Sequence, residues 1–294
     1  MNDYILRGTA LDGKVRALAA YSKNLVQELR ERQDTWSTAT AALGRSATIG
    51  AMMGAMLKGE ERLTIQVRGD GPIGHIVIDA NAKGEVRGYV QNPHVQLPTN
   101  AIGKIDVRGG VGTEGSIIVI KDLGMKEPYR GNSPIVSGEI SDDFTYYFAT
   151  SEQTPSAVAA GVLVDKDHSV ITAGGFIIQL LPGLSDEEIS AIEGQLGQLH
   201  TITKYLDEGL AIEEVLRMVL PSFVEMERLP LVFKCSCSEE RVERTLISLG
   251  TDELKQIIAE DGQAEMVCHF CNQKYHFNKS ELESIVEKIE MQKK

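Results

Sequence analysis

The chain has 294 residues, a formal net charge of -12 and 42% hydrophobic residues, so it is too apolar for a wholly disordered protein and long enough for about two domains. Its 42 acidic residues against 30 basic ones argue against a general nucleic-acid binder, because neutralising phosphates requires a surplus of Lys and Arg. The sequence has no apolar run near the ~18 residues of a membrane span and no signal-peptide pattern, so we expect a cytoplasmic protein that does not enter membranes.

Residues 1–181 are predicted to form a core domain of mixed strands and helices. The predicted strands are separated mostly by Gly, Asn, Asp or Pro turns and cover residues 4–9, 15–20, 62–68, 74–79, 85–90, 115–122 and 145–150. Residues 156–165 and 169–181 complete the domain as a glycine-rich apolar region. Two helices are predicted between the second and third strands, over residues 23–33 and 35–58. Strands and helices that do not alternate strictly indicate an α+β fold.

Residues 182–230 are predicted to form a helical linker. Ser185 and Glu188 fit a capping box, after which Ile189, Ile192, Leu196, Leu199 and Leu206 recur at helical spacing. A second amphipathic helix carries Ile212, Val215, Leu216 and Val219 and ends at Pro221. The stretch 185–230 holds 10 acidic and 3 basic residues, and its glycines weaken the helices. The pattern fits either an ordinary helical connector or a marginally stable linker that can be released from the surface it covers.

Residues 231–294 are predicted to form a small C-terminal domain. Helices are predicted over residues 239–249 and 252–260, a hairpin over residues 266–277, and a final helix starting at Ser280. A domain of this size often needs a staple such as a metal ion.

All four cysteines lie in this domain, in the two close pairs Cys235-Ser236-Cys237 and Cys268-His269-Phe270-Cys271. Four thiolates saturate a structural zinc ion, although soft sulfur ligands also accept iron. We therefore predict a zinc site made by Cys235, Cys237, Cys268 and Cys271, with His269 and His276 as surface or neighbouring residues. If the metal leaves, the near neighbours can form the disulfides Cys235–Cys237 and Cys268–Cys271. Because the metal keeps the sulfurs deprotonated, an oxidant can attack them, which links oxidation to metal loss and unfolding.

The residues around these cysteines, 233–241 and 266–277, closely resemble the signature of the heat-shock protein 33 family of redox-regulated bacterial chaperones. Residues 151–156 and 174–183 also look like core-domain motifs of that family. The resemblance implies an ATP-independent holdase chaperone, not an enzyme, that is zinc-bound and inactive when reduced. Oxidation in that family forms the two near-neighbour disulfides, releases zinc and unfolds the linker. The resemblance further implies homodimers of the oxidised core and binding of unfolding client proteins.

Two other functions fit a four-cysteine pattern less well. A zinc-ribbon nucleic-acid module usually has a basic face, whereas residues 231–294 hold 12 acidic and 9 basic residues. A thiol oxidoreductase places its C-x-x-C motif at the start of a helix, whereas Cys268 and Cys271 fall in a predicted hairpin. The glycine-rich stretches 69–71 and 109–112 lack phosphate-loop spacing, and no ATP site is visible.

Overall fold

The computed structural model describes residues 2–292. The described chain separates into two compact units, one running through Lys234 and the other beginning at Cys235. The first unit contains two β-sheets and the helices packed on them, and the second contains a hairpin and three helices. The predicted α+β fold, with a mixed core and a four-cysteine unit at its C-terminal side, is confirmed.

The first sheet is antiparallel and has the strand order β10-β1-β2-β9-β8. Its strands are β1 (Tyr4–Ala10), β2 (Val15–Tyr21), β8 (Ser156–Val164), β9 (Val170–Leu180) and β10 (Val224–Pro230). Most of β2 and β9 is buried, as expected for strands that are covered on both faces.

The second sheet has the strand order β11-β5-β4-β3-β6-β7. Its strands are β3 (Arg62–Gly69), β4 (His75–Asn81), β5 (Glu85–Val90), β6 (Gly115–Asp122), β7 (Tyr129–Pro134) and β11 (Val232–Phe233). All neighbours in it are antiparallel except the short β11, which runs parallel to β5.

Helices α1 (Lys23–Gln33) and α2 (Ser37–Gly54) form the main core with both sheets. Almost every residue of α2 is buried, and small residues let its backbone approach its neighbours. A Cβ atom on Gly44 would lie 2.5 Å from Val26 Cγ1 and 2.8 Å from Val162 Cγ2, which leaves no room for a side chain. Helix α2 is long and apolar. Among residues 2–292, however, no helix, α2 included, is both long enough and apolar enough to cross a membrane.

Helices α5 (Asp186–Gln198), α6 (Ile202–Asp207) and α7 (Ile212–Val219) form a second core in the same unit. Their buried side chains pack with β1, β2 and β9; they are Ile192, Ile202, Leu206, Ile212, Val215, Leu216 and Val219. The predicted capping box is present, since Ser185 Oγ accepts from the backbone N–H of Glu188 and the Glu188 carboxylate accepts from that of Ser185.

The predicted strand over residues 145–150 is wrong, because these residues lie in helix α4 (Ser141–Thr150). Their aromatic and β-branched composition favours a strand locally. In the folded chain, however, Phe144, Tyr147 and Phe148 are buried at the i, i+3, i+4 spacing that places side chains on one face of a helix. Tertiary packing of that aromatic face overrides the local preference.

The linker also differs from its prediction in detail. The first predicted helix is broken at Leu199, whose backbone is extended, so Leu206 belongs to a separate helix. Residues 224–230 form strand β10, which the sequence did not predict, and β7, β11 and the short α3 (Val107–Val111) were missed as well. These elements are short or lie at sheet edges, where local sequence carries little signal.

The second unit packs three helices on a two-stranded hairpin. Its elements are α8 (Glu239–Leu249), α9 (Thr251–Glu260), β12 (Gln263–Val267), β13 (Lys274–Asn278) and α10 (Lys279–Gln292). The last helix is capped by Asn278 and Glu281 rather than by the predicted Ser280. Its buried hydrophobic core is small and consists of Leu246, Leu254, Phe277, Leu282, Ile285, Val286 and Ile289.

The buried carboxylate of Asp3 caps α1 and should make the stability of the first unit depend on pH. Its oxygens accept from the backbone N–H groups of Asn24 at 3.1 Å and Leu25 at 2.6 Å. Burial outweighs these bonds and raises the pKa of Asp3 from 3.8 to about 6. Because the folded-state pKa is the higher one, the contribution of Asp3 to stability is full below pH 4 and is lost as the pH rises through 6.

We therefore expect the unfolding free energy of the wild type, relative to Asp3→Asn, to fall by up to about 3 kcal/mol between pH 4 and pH 7. Urea unfolding followed by the fluorescence of Trp36, the one tryptophan, measures both proteins. A difference that is constant or increases with pH would contradict the assignment.

Candidate metal centre

The four cysteines are presented by two irregular segments of the second unit. Cys235 and Cys237 lie in an extended stretch that ends at Ser238, the N-cap of α8, whose Oγ accepts from the backbone N–H of Arg241. Cys268 and Cys271 lie in the turn that joins β12 to β13, as the sequence predicted. In that turn the backbone N–H of Asn272 donates to the carbonyl of Cys268 at 2.8 Å.

The four sulfur atoms all lie within 4.8 Å of one another. Two of the contacts join one pair to the other: Cys235 Sγ is 3.7 Å from Cys268 Sγ, and Cys237 Sγ is 3.3 Å from Cys271 Sγ. In a regular tetrahedron with metal–sulfur bonds of about 2.3 Å, the sulfurs are about 3.8 Å apart. The arrangement therefore fits one tetrahedral metal ion, and the four cysteines can hold such an ion.

Burial strongly affects the two thiols of the hairpin turn. It raises the pKa of both the Cys268 and Cys271 thiols, and nearby backbone N–H groups, such as that of Gln273, offset only part of the rise. Without a cation these thiols stay protonated at neutral pH. A bound metal ion reverses this preference, because metal ligation requires thiolate and the ion supplies the compensating charge.

Two residues beside the cysteines were not predicted from the sequence. The Tyr275 hydroxyl donates a hydrogen bond to Cys237 Sγ at 3.2 Å, and this bond raises the pKa of Tyr275 to about 12. Arg241 donates to the carbonyl and the hydroxyl of Ser236, at 3.1 and 2.9 Å, and so restrains the residue between Cys235 and Cys237. Contacts of this kind follow no fixed spacing, so only the hairpin register and the start of α8 reveal them.

The other candidates do not join the site. His269 and His276 are exposed, and the potential metal-binding group found among residues 2–292 consists of the four cysteines. The glycine-rich stretches 69–71 and 109–112 hydrogen-bond to each other, for example from Gly71 N–H to the Val111 carbonyl at 2.9 Å, which is a structural role. Cys268 and Cys271 do not begin a helix, unlike the cysteines of thiol oxidoreductases.

Known proteins and a family model match this chain along nearly its whole length. The family model described as Hsp33 protein matches residues 3–278. A protein named 33 kDa chaperonin from Bacillus velezensis is 54% identical over 284 residues, which cover 96% of this chain and 98% of the relative. Its namesake from Oceanobacillus iheyensis is 53% identical, with coverage of 97% and 99%. The crystal structure of the 33 kDa chaperonin (heat shock protein 33 homolog) from Thermotoga maritima superposes with a TM-score of 0.92 at 38% identity, covering 98% of each chain.

We expect the purified, reduced protein to carry about one metal ion per chain and Cys271→Ser to lose it. Because the hydrophobic core of the second unit is small, metal loss should unfold residues 235–294 and leave the first unit folded. Elemental analysis gives the metal content, and amide hydrogen exchange read by mass spectrometry gives the order of each unit. Ser248→Ala, which removes a hydroxyl from the same unit, is the control and should change neither. Retention of stoichiometric metal by Cys271→Ser would refute the four-cysteine site.

Proposed function

Because this chain belongs to the Hsp33 family, which makes it a member of a chaperone family, we propose that it is an ATP-independent holdase that oxidation activates. The observation that carries the proposal is the cluster of four sulfurs within 4.8 Å in a unit with a small hydrophobic core. Such a unit depends on its metal, and its metal depends on reduced sulfur. The zinc ion inferred from four thiolates supplies structural cross-linking when bound, with all four ligand positions taken by protein.

In the proposed reaction each disulfide forms at the expense of one peroxide molecule. A thiolate sulfur attacks one peroxide oxygen, the O–O bond breaks and hydroxide leaves. A second thiolate attacks the resulting sulfenic acid, forms the S–S bond and expels a second hydroxide. The two sulfurs lose two electrons, and the two hydroxides take up protons to become water. With Cys235–Cys237 and Cys268–Cys271 both formed, no thiolate remains to ligate the metal.

The surface that oxidation uncovers is proposed to lie beneath residues 182–230, the predicted linker between the core at 1–181 and the metal domain at 231–294. Helices α5–α7 cover one apolar face of the first sheet, including Leu6, Phe176 and Ile178. Releasing these helices would expose that face and their own apolar stripes, and unfolded client proteins expose comparable surface. The ten acidic residues of the segment help to keep the opened form soluble.

The proposal includes the remaining properties expected of this chaperone. The oxidised protein acts as a homodimer in the cytoplasm, binds clients rather than nucleic acid or membranes, and catalyses no reaction. The hairpin position of Cys268 and Cys271 supports a switch over an oxidoreductase.

We expect the reduced, metal-loaded protein to suppress client aggregation weakly. Incubation with peroxide at elevated temperature should release the metal and produce strong suppression of client aggregation. Light scattering of a thermally unfolding client follows the activity, and a metallochromic indicator follows release. Heating without peroxide, and peroxide followed by dithiol and zinc, are the controls. Equal suppression by the reduced and oxidised proteins would disprove the redox switch.

We also expect Glu213→Gln to loosen the linker in the reduced protein. The Glu213 carboxylate accepts from the Tyr4 hydroxyl at 2.6 Å and from Arg228 at 2.9 Å, and thereby ties α7 to β1 and β10. Burial by itself would raise the pKa of Glu213, but these hydrogen bonds outweigh it and lower that pKa, so the carboxylate is ionised at neutral pH.

Loss of this charge should weaken docking of α7 by about 1–2 kcal/mol. Tryptic cleavage after Lys204 or Arg217 should then become roughly tenfold faster, and less peroxide should be needed for activation. Glu193→Gln, an exposed change on α5, is the matched control. If Glu213→Gln is cleaved no faster than Glu193→Gln, the hydrogen bonds of Glu213 with Tyr4 and Arg228 do not hold the linker helices in place.

A further inference from the structure

Tyr275 has a defined place beside the sulfur cluster. It lies on β13, opposite Met266 of β12, and its half-buried ring packs against the hydrophobic core of the second unit. The ring is therefore held by the hairpin, and its hydroxyl lies 3.2 Å from Cys237 Sγ as a hydrogen-bond donor. The contact spans 38 positions of sequence and joins the hairpin to the other cysteine pair.

The hydrogen-bond donor at the Cys237 sulfur is of a different kind from the donors at the sulfurs of Cys268 and Cys271. Backbone N–H groups of Phe270 and Cys271 face the Cys268 sulfur, and that of Gln273 faces the Cys271 sulfur. Those donors belong to the turn and remain whatever the side chains are. At Cys237 the hydrogen-bond donor is the side-chain hydroxyl of Tyr275, so a change of that one side chain removes it.

We propose that Tyr275 is a positioning residue that shields Cys237 from oxidants and so sets the peroxide concentration at which the switch responds. The inference rests on the proposed redox function. A hydrogen bond to a thiolate is charge-assisted, and it occupies the electron pair that would attack peroxide. For Cys237 to attack a peroxide oxygen, expel hydroxide and become a sulfenic acid for Cys235 to resolve, this bond must weaken or break. The barrier to that first step therefore includes the hydrogen bond.

The direct test is Tyr275→Phe in the full-length, zinc-loaded protein, which keeps the ring and removes the hydroxyl. We expect the second-order rate constant of peroxide-driven zinc release, read with a metallochromic indicator, to rise on the order of tenfold. Thr245→Val is the matched control, because it removes a hydroxyl of α8 that bonds to the Arg241 carbonyl, and its rate should equal that of the wild type.

Two outcomes would overturn the role of Tyr275. One is a peroxide rate constant for Tyr275→Phe within twofold of the wild-type value. The other is an equal rise in zinc release to a chelator without peroxide, which would show general loosening of the site. Failure of the wild type itself to lose zinc to peroxide would instead refute the proposed function, so the two failures are distinguishable.

Alkylation supplies a second measurement, read residue by residue by mass spectrometry. With limiting iodoacetamide, the ratio of Cys237 to Cys268 modification should rise in Tyr275→Phe, because Cys268 keeps its backbone donors. An unchanged ratio contradicts the shielding of Cys237. 3-Fluorotyrosine at position 275 of the otherwise unchanged full-length protein is a stronger hydrogen-bond donor of similar size. This protein should release zinc to peroxide more slowly than the unmodified protein. An unchanged or faster rate contradicts the inference.

Discussion

The attachment of one cysteine pair to the other is the constraint on which the second unit depends. Cys235 and Cys237 precede α8 and meet the hairpin turn through their sulfurs, at 3.7 and 3.3 Å from Cys268 and Cys271. The rest of the unit offers little else to hold it, since most of its helical surface is exposed and its buried hydrophobic side chains are few. Four close sulfurs without a cation have no strong attraction for one another. A bound metal ion would turn this contact into the strongest interaction of the unit.

A second constraint links the linker helices to the strand that follows them. Arg228 lies on β10, where it pairs in register with Leu6 of β1, and its guanidinium stacks 4.5 Å from the Tyr4 ring. The same guanidinium donates to Glu213 on α7. The side chain of Arg228, a residue of β10, therefore contacts both Tyr4 of β1 and Glu213 of α7. If loss of order after residue 230 frays β10, Arg228 leaves with it, and the largely buried Glu213 carboxylate of α7 loses its ionic partner. Under the proposed function, this pair of contacts would give unfolding that begins near the cysteines a physical route to the apolar face under α5–α7.

The parts of the molecule that follow from local pattern are those that the sequence predicts well. Alternating strands, the capped start of α5 and the cysteine hairpin depend on neighbouring residues, and the structure has them where they were expected. Helix α4 was mistaken for a strand because Tyr147 and Phe148 are good strand residues whose helical placement is decided by distant packing partners. Trp36 is 41% exposed and contacts the rings of His94 and His168, an arrangement that no local pattern indicates. At the candidate metal centre, the clustering of the four cysteines could be predicted from their spacing, whereas the position of Tyr275 required the register of β12 with β13.

Burial and metal binding act on the cysteines in opposite directions, and under the proposed function this opposition allows one site both to stabilise the unit and to respond to an oxidant. Burial raises the pKa of the Cys268 and Cys271 thiols, so a metal-free reduced site holds neutral sulfur, which reacts poorly with peroxide. A bound metal ion would stabilise the unit and at the same time hold its sulfurs as thiolates, the form that an oxidant attacks. If the site works as the proposed redox switch, its thiolates must resist oxidation at low peroxide concentrations. Hydrogen bonds to sulfur supply such restraint without changing the ligand set, and the hydroxyl of Tyr275 places one of them on a residue that can be altered independently of the metal ligands.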